Sequence, residues 1–224
     1  MRKGVFGAVN WFFEQEERGI ILEDDCQPDP SFFLFCATLL EKYQSDEEIM
    51  HIGGSNLIEA CTGTLPVSYV FSRFSFVWGW ASWRRAWTKM SLELEGLDEF
   101  SAIGAFIPGN MAQAYMLDKF NATRLDKNNS WAYAWFYSIL KNNGLCIVPT
   151  RNLVQNTGVG EEGATNTTQR NTSARLAAGS VSFPLIHPRE KKIDPELEQR
   201  FFFATQKRRM RLWIWYFLHR MGLR

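Results

Sequence analysis

Apolar residues in this chain come in short bursts separated by polar punctuation, and the spacing inside each burst assigns the elements. Over residues 1–17, "MRKGVFGAVNWFFEQEE", Val5, Val9 and Phe12 or Phe13 fall on one side, predicting an amphipathic helix with acids at its end. Residues 20–22 are branched and apolar and read as a short buried strand, which Glu23, Asp24 and Asp25 end abruptly. Pro28 and Pro30 then forbid a strand interior. "DPSFFLFCATLLEKYQ" predicts a helix with Asp29 as its cap and Pro30 at its first position. "IMHIGGSN" is a strand running into a Gly-Gly turn, and "VSYVFSRFSFVWGWASWRRAW" is a β-rich run followed by an aromatic loop. In "NSWAYAWFYSILKNNG", Trp131, Trp135 and Ile139 recur every four residues and Asn143-Gly144 supplies a helix stop. "LCIVP" is another buried strand, and residues 151–182, rich in Gly, Thr and Asn, read as a long loop. Strands alternating with helices predict an α/β fold with a largely parallel sheet, which binds ligands at the carboxyl ends of its strands. The three acids stand at such an end.

Adjacent carboxylates repel, and burying them unpaired costs several kcal/mol, so they either fan into water or share a cation. Carboxylates at a strand terminus suit Mn²⁺ or Mg²⁺, hard cations often shared with substrate phosphates. A solvated turn with a charged tip is the plainer alternative. Composition narrows the partners. The net charge of +1 argues against a general nucleic-acid binder, whereas nine Trp and eighteen Phe suit clefts for amphipathic ligands. Cys26, Cys36, Cys61 and Cys146 form no Cys-x-x-Cys pair, which predicts reduced thiols in a cytoplasmic protein. Asn-x-Ser/Thr triplets at Asn121, Asn128, Asn166 and Asn171 carry little weight in a chain read as cytoplasmic.

Taken together, "GIILEDDCQPDPSFF", "HIGGSN", "YVFSRFSFVWGWASWRRAW" and "GLCIVPTRNLVQNTGVGEEGATNT" resemble the GT-A-fold glycosyltransferases that use nucleotide-diphospho-sugars. More narrowly, they resemble bacterial relatives of the N-acetylglucosaminyltransferase I type, whose metal motif is Glu-Asp-Asp. The resemblance implies a Rossmann-like, mostly parallel sheet flanked by helices over residues 1–190, lacking the first nucleotide-binding βαβ unit. Asp25 would coordinate Mn²⁺ or Mg²⁺, Asp24 would hydrogen-bond the donor's ribose or sugar, and Glu23 would orient the site. Gly54, Ser55 and Asn56 would contact substrate, and Trp78, Gly79 and Trp80 would line the sugar cleft. For Trp83 and Trp87 core packing is the better reading. Gly158, Gly160 and Gly163 would lend motion to a lid, and His187 would be a second metal ligand or a structural histidine. Relatives carry an aspartate after the first Trp of a Trp-Asp-x-x-Trp helix, where this chain has Ala132, leaving Asp126, Glu161 and Glu162 as substitute bases. The lid has Asn166 where relatives often have histidine.

Residues 191–224 read as a basic, aromatic C-terminal helix. Its end, "KRRMRLWIWYFLHRMGLR", suits either the inner surface of a membrane or docking on the domain itself. The expected function is transfer of a sugar from a nucleotide-diphosphate donor to a glycan or lipid-linked hydroxyl, with no nucleic-acid partner. Two alternatives stand beside it: a catalytically inactive binding or scaffold module, and a metal-dependent phosphohydrolase or nucleotidyltransferase.

Overall fold

The computed structural model describes residues 2–98, 103–107, 109–128, 130–158, 176–205, 214, 216–218, 220 and 221. Helix α1 (Arg2–Gln15) leads into β1 (Arg18–Ile21), and a turn carries the chain into the three-residue β2 (Cys26–Pro28). Helix α2 (Pro30–Lys42) starts where the sequence places it: the Asp29 carboxylate accepts from the Ser31 amide, and Pro30 fills the first turn. Next come β3 (Ile49–Gly53), α3 (Glu59–Thr62), β4 (Tyr69–Ser72), β5 (Trp80–Trp83) and α4 (Arg84–Trp87). Helices α5 (Ile103–Phe106), α6 (Asn110–Arg124) and α7 (Ala132–Lys141) precede β6 (Leu145–Pro149), β7 (Val154–Asn156) and α8 (Pro195–Thr205).

Five strands form one sheet in the order β1-β5-β3-β6-β4, and β2 pairs with β7 in a separate ribbon. The expectation of a largely parallel sheet is corrected here. Only β3 and β6 run parallel; β1–β5, β3–β5 and β4–β6 are antiparallel. The reason lies in the connections. Strands β1, β3 and β6 share a direction, β1 and β3 being joined through a helical crossover of the kind that returns a chain parallel. No helix separates β4 from β5, and both run against the other three. The chain leaves β4 at one edge and inserts β5 between β1 and β3. Since β5 is buried at every position, its sequence shows no alternation and reads as part of an aromatic loop.

Both faces of the sheet are covered. Helix α2 packs Phe32, Phe35 and Leu39 against Ile52, Ala81 and Ile147 on one side. On the other, α1 and α7 bring Val9, Phe13, Trp135 and Ile139 onto Met50, Trp80 and Cys146. A third cluster joins α6, α7 and α8, with Phe201 and Phe202 against Phe74, Phe76 and Tyr115. Helix α8 thus belongs to the packed body, although the sequence groups it with the tail.

Helix α8 is held by a buried carboxylate. Glu198, 2% exposed, accepts from the Ser72 hydroxyl at 2.6 Å and from the Arg73 amide at 3.0 Å. Burial pushes its carboxyl up to about 7, against the pull of those two donors and the Arg73 guanidinium; nearby Asp194 adds a small push upward. With the folded value above the usual 4.5, the native state keeps a proton that the unfolded chain has released. Its stabilising contribution is therefore complete below about pH 4.5 and is lost as pH rises through about 7. Glu198→Gln should flatten that fall, by up to about 3 kcal/mol between about pH 5 and pH 8. Urea unfolding of both proteins at the two pH values measures it, and equal slopes would show that Glu198 is not the group responsible.

Candidate metal site at the end of β1

The acids sit in a turn that the β2–β7 ribbon clamps. Glu23 closes the turn by accepting the Cys26 amide at 3.1 Å, and Asp24 stands exposed at its tip. The ribbon pairs Cys26 with Asn156 and Pro28 with Val154. Beyond it, the Asp25 carbonyl accepts from the Thr157 amide at 2.8 Å and the Thr157 hydroxyl at 3.1 Å. Gly158 lies directly against the Asp25 side chain, where an added Cβ would collide with the carboxylate. The loop is thereby held by backbone contacts, independently of what the carboxylates bind.

Potential ligand atoms of Glu23, Asp25 and Cys26 lie within 4.8 Å of one another. Their electrostatics are unfavourable as they stand. The Glu23 carboxyl is raised above its usual range first by burial and then by repulsion from Asp25, with a smaller push from Asp24. One influence opposes these: the indole N–H of nearby Trp131 pulls the Glu23 pKa down. The Cys26 thiol is pushed up to about 12, chiefly by burial, and its S–H faces Asp25 Oδ1 at 3.7 Å. Two oxygen donors that repel each other, anchored by their own backbone, fit a divalent cation, which would relieve the repulsion directly.

Trp131, which the sequence spacing marks only as a helix-face residue, stands just before α7. It is 4% exposed and belongs to a box of four indoles. Trp80 stands 5.6 Å from Trp131, 5.8 Å from Trp87 and 6.1 Å from Trp135, measured between ring centroids. His51 stacks on Trp80 at 5.3 Å. The Trp135 indole donates to His51 Nδ1 at 3.2 Å, which leaves the His51 Nε2–H to donate to the Phe76 carbonyl at 3.0 Å. Burial holds His51 down at about 4, so it is a neutral wall of the box.

The structure separates the other sequence-selected residues. Gly54, Ser55 and Asn56 are buried; the Asn56 side chain donates to Thr62 and to the Pro149 carbonyl and accepts from the Ile58 amide. It staples loops together and offers nothing to a ligand in this arrangement. Trp80 is fully buried and so lines no cleft, a correction to the expectation, whereas Trp78 is half-buried. Gly79 lies between them at φ +64°. Trp83 and Trp87 are core residues, 3% and 2% exposed. Asp126 pairs with the buried guanidinium of Arg2 at 3.2 Å. His187 Nδ1 meets the Tyr69 hydroxyl at 3.0 Å, and burial first, then the Lys42 cation, push its pKa down. It is not part of the cluster formed by Glu23, Asp25 and Cys26, and its expected place as a second ligand is corrected accordingly. Gly160, Glu161, Glu162 and Gly163 lie outside the described residues.

No family model matches this chain, and no curated protein matches it significantly.

The contact from Trp131 makes a direct prediction. Trp131→Phe keeps most of the aromatic packing and removes the indole N–H that pulls Glu23 down, so the Glu23 pKa should move further up. A carboxyl-carbon NMR titration of Glu23 in both proteins reads this; an unmoved or lowered midpoint would show that the indole does not act on the acid.

Proposed function

We propose that this chain is a metal-dependent glycosyltransferase domain acting on a nucleotide-diphospho-sugar. One observation carries the reading: Glu23 and Asp25, mutually repelling and half-buried, are fixed side by side at the end of β1. The Glu-Asp-Asp resemblance gives the substrate class. Asp25 and Glu23 would hold Mn²⁺ or Mg²⁺, and that cation, when bound, neutralises a diphosphate and stabilises it as a leaving group. Asp24, exposed at the tip of the turn, is free to accept from a donor hydroxyl. Gly79 and the half-buried Trp78 stand on the neighbouring strand entry, where an indole face suits the C–H face of a sugar. The acceptor is a glycan or lipid-linked hydroxyl.

A binding module without transfer is the second reading, and Ala132 favours it. Ala132 follows Trp131, whose indole lowers the Glu23 pKa, and a methyl group takes no proton from an acceptor hydroxyl. Asp126 is already committed to Arg2.

Calorimetric titration with Mn²⁺ alone, then with uridine diphosphate and a panel of sugar nucleotides, tests the donor site on wild type and Asp25→Asn. Nucleotide binding should require Mn²⁺ and weaken by about tenfold or more in the variant, roughly 1.4 kcal/mol. Nucleotide binding indifferent to both metal and Asp25 would overturn the reading. Donor binding with neither hydrolysis nor transfer to any hydroxyl acceptor would favour the binding module.

A further inference from the structure

The near-neutral charge of the chain conceals a separation. Residues 207–224 hold six of the 25 Lys and Arg and none of the 24 Asp and Glu. Residues 1–206, with 19 basic side chains against 24 acidic ones, therefore carry a formal −5 while the tail carries +6. Within the tail, residues 214, 216–218 and 220 are helical. Ile214, Phe217 and Met221 recur at three and four residues, which sets them on one side of a helix. They are 55%, 64% and 48% exposed. Contrast α8 a few residues earlier, whose Glu198, Phe201 and Phe202 are buried in the body of the protein. Among the described tail residues, Ile214, Phe217 and Met221 stand exposed, while Tyr216 and Leu218 are partly buried.

We infer that the tail is an anchor for an anionic lipid surface. Ile214, Phe217 and Met221 enter the boundary between headgroups and acyl chains, while Lys207, Arg208, Arg209, Arg211 and Arg220 meet lipid phosphates. The apolar run 212–218 is too short to span a bilayer, and no helix among the described residues is long and apolar enough to do so. A nucleic-acid backbone would satisfy the cations but gives an exposed Ile–Phe–Met face nothing to bury. The inference goes beyond sugar transfer and does not depend on it.

Cosedimentation of the full chain with phosphatidylcholine vesicles, with or without about 30% phosphatidylglycerol, tests it. Binding should favour the anionic vesicles by about a hundredfold and weaken as NaCl rises from about 0.1 to about 0.5 M. Ile214→Ser with Phe217→Ser should reduce vesicle affinity by about tenfold or more with no change in melting temperature. Replacing Arg208, Arg209 and Arg211 with Gln should reduce it by about a hundredfold. Equal affinity for both vesicles, or none, overturns the anchor. So does a fall in melting temperature in the Ile214/Phe217 variant, which would place that face against the protein itself. Tight binding of a single-stranded RNA oligonucleotide that displaces vesicles, unaffected by the Ile214/Phe217 variant, would also overturn it. Each of these outcomes is independent of whether Asp25 holds a metal.

Discussion

The acidic loop owes its position to a backbone approach between two glycines. The Gly54 amide donates to the Gly79 carbonyl at 2.7 Å, joining the end of β3 to the start of β5, and the Leu153 amide donates to the Gly54 carbonyl at 2.9 Å. A Cβ on Gly54 would lie 2.8 Å from the Gly79 oxygen and strike the side chains of Phe32 and Val154 as well. Gly79 sits at φ +64°, which L side chains rarely adopt. Three segments can meet here only because no side chain stands between them. Val154 fills the space over both glycines, and its strand β7 pairs with β2, the residues that immediately follow the acids. Through that sequence of contacts the approach of Gly54 and Gly79 determines where Glu23 and Asp25 stand.

The same strand entry governs what lies beneath the acids. Once Gly79 has turned the chain, Trp80 drops into the indole box, where His51 and Trp135 lock each other through one hydrogen bond. Protonating His51 would remove the lone pair that accepts from Trp135 and strand a charge in an apolar box, which is why burial holds its pKa so low. The box therefore presents the site with a rigid, neutral floor. Of its four indoles, Trp131 stands near enough to Glu23 to pull that acid's pKa down. Such a floor buries Glu23, and the pull of the Trp131 N–H offsets that only in part. The acid pair is left with more repulsion than the protein relieves, and that imbalance is the physical case for a cation.

Local chemistry was legible in the sequence; strand order was not. The Asp29-Pro30 start of α2 and the Asn143-Gly144 end of α7 depend on neighbouring residues, and the structure places both where spacing does. Strand β1 overlaps the apolar run, but it covers Arg18–Ile21 at the sheet edge and is partly exposed, not the buried strand expected over residues 20–22. Direction in the sheet carries no such local mark. Strand β5 is apolar at nearly every position because both its faces are covered, so it merges with the aromatic run before it, and Trp80 reads equally as a sugar platform or as core. His187 was selected for its residue type, but its neighbours are Tyr69 and Lys42, brought to it by a late loop whose path no periodicity encodes. The contact between Trp131 and Glu23 has the same character. Their separation in the chain gives no hint of it, since it requires β5 to lie between β1 and β3 so that α7 can cover the face where β1 ends. A motif can thus name the carboxylates that would hold a cation, while the donor that steadies one of them follows from sheet order alone.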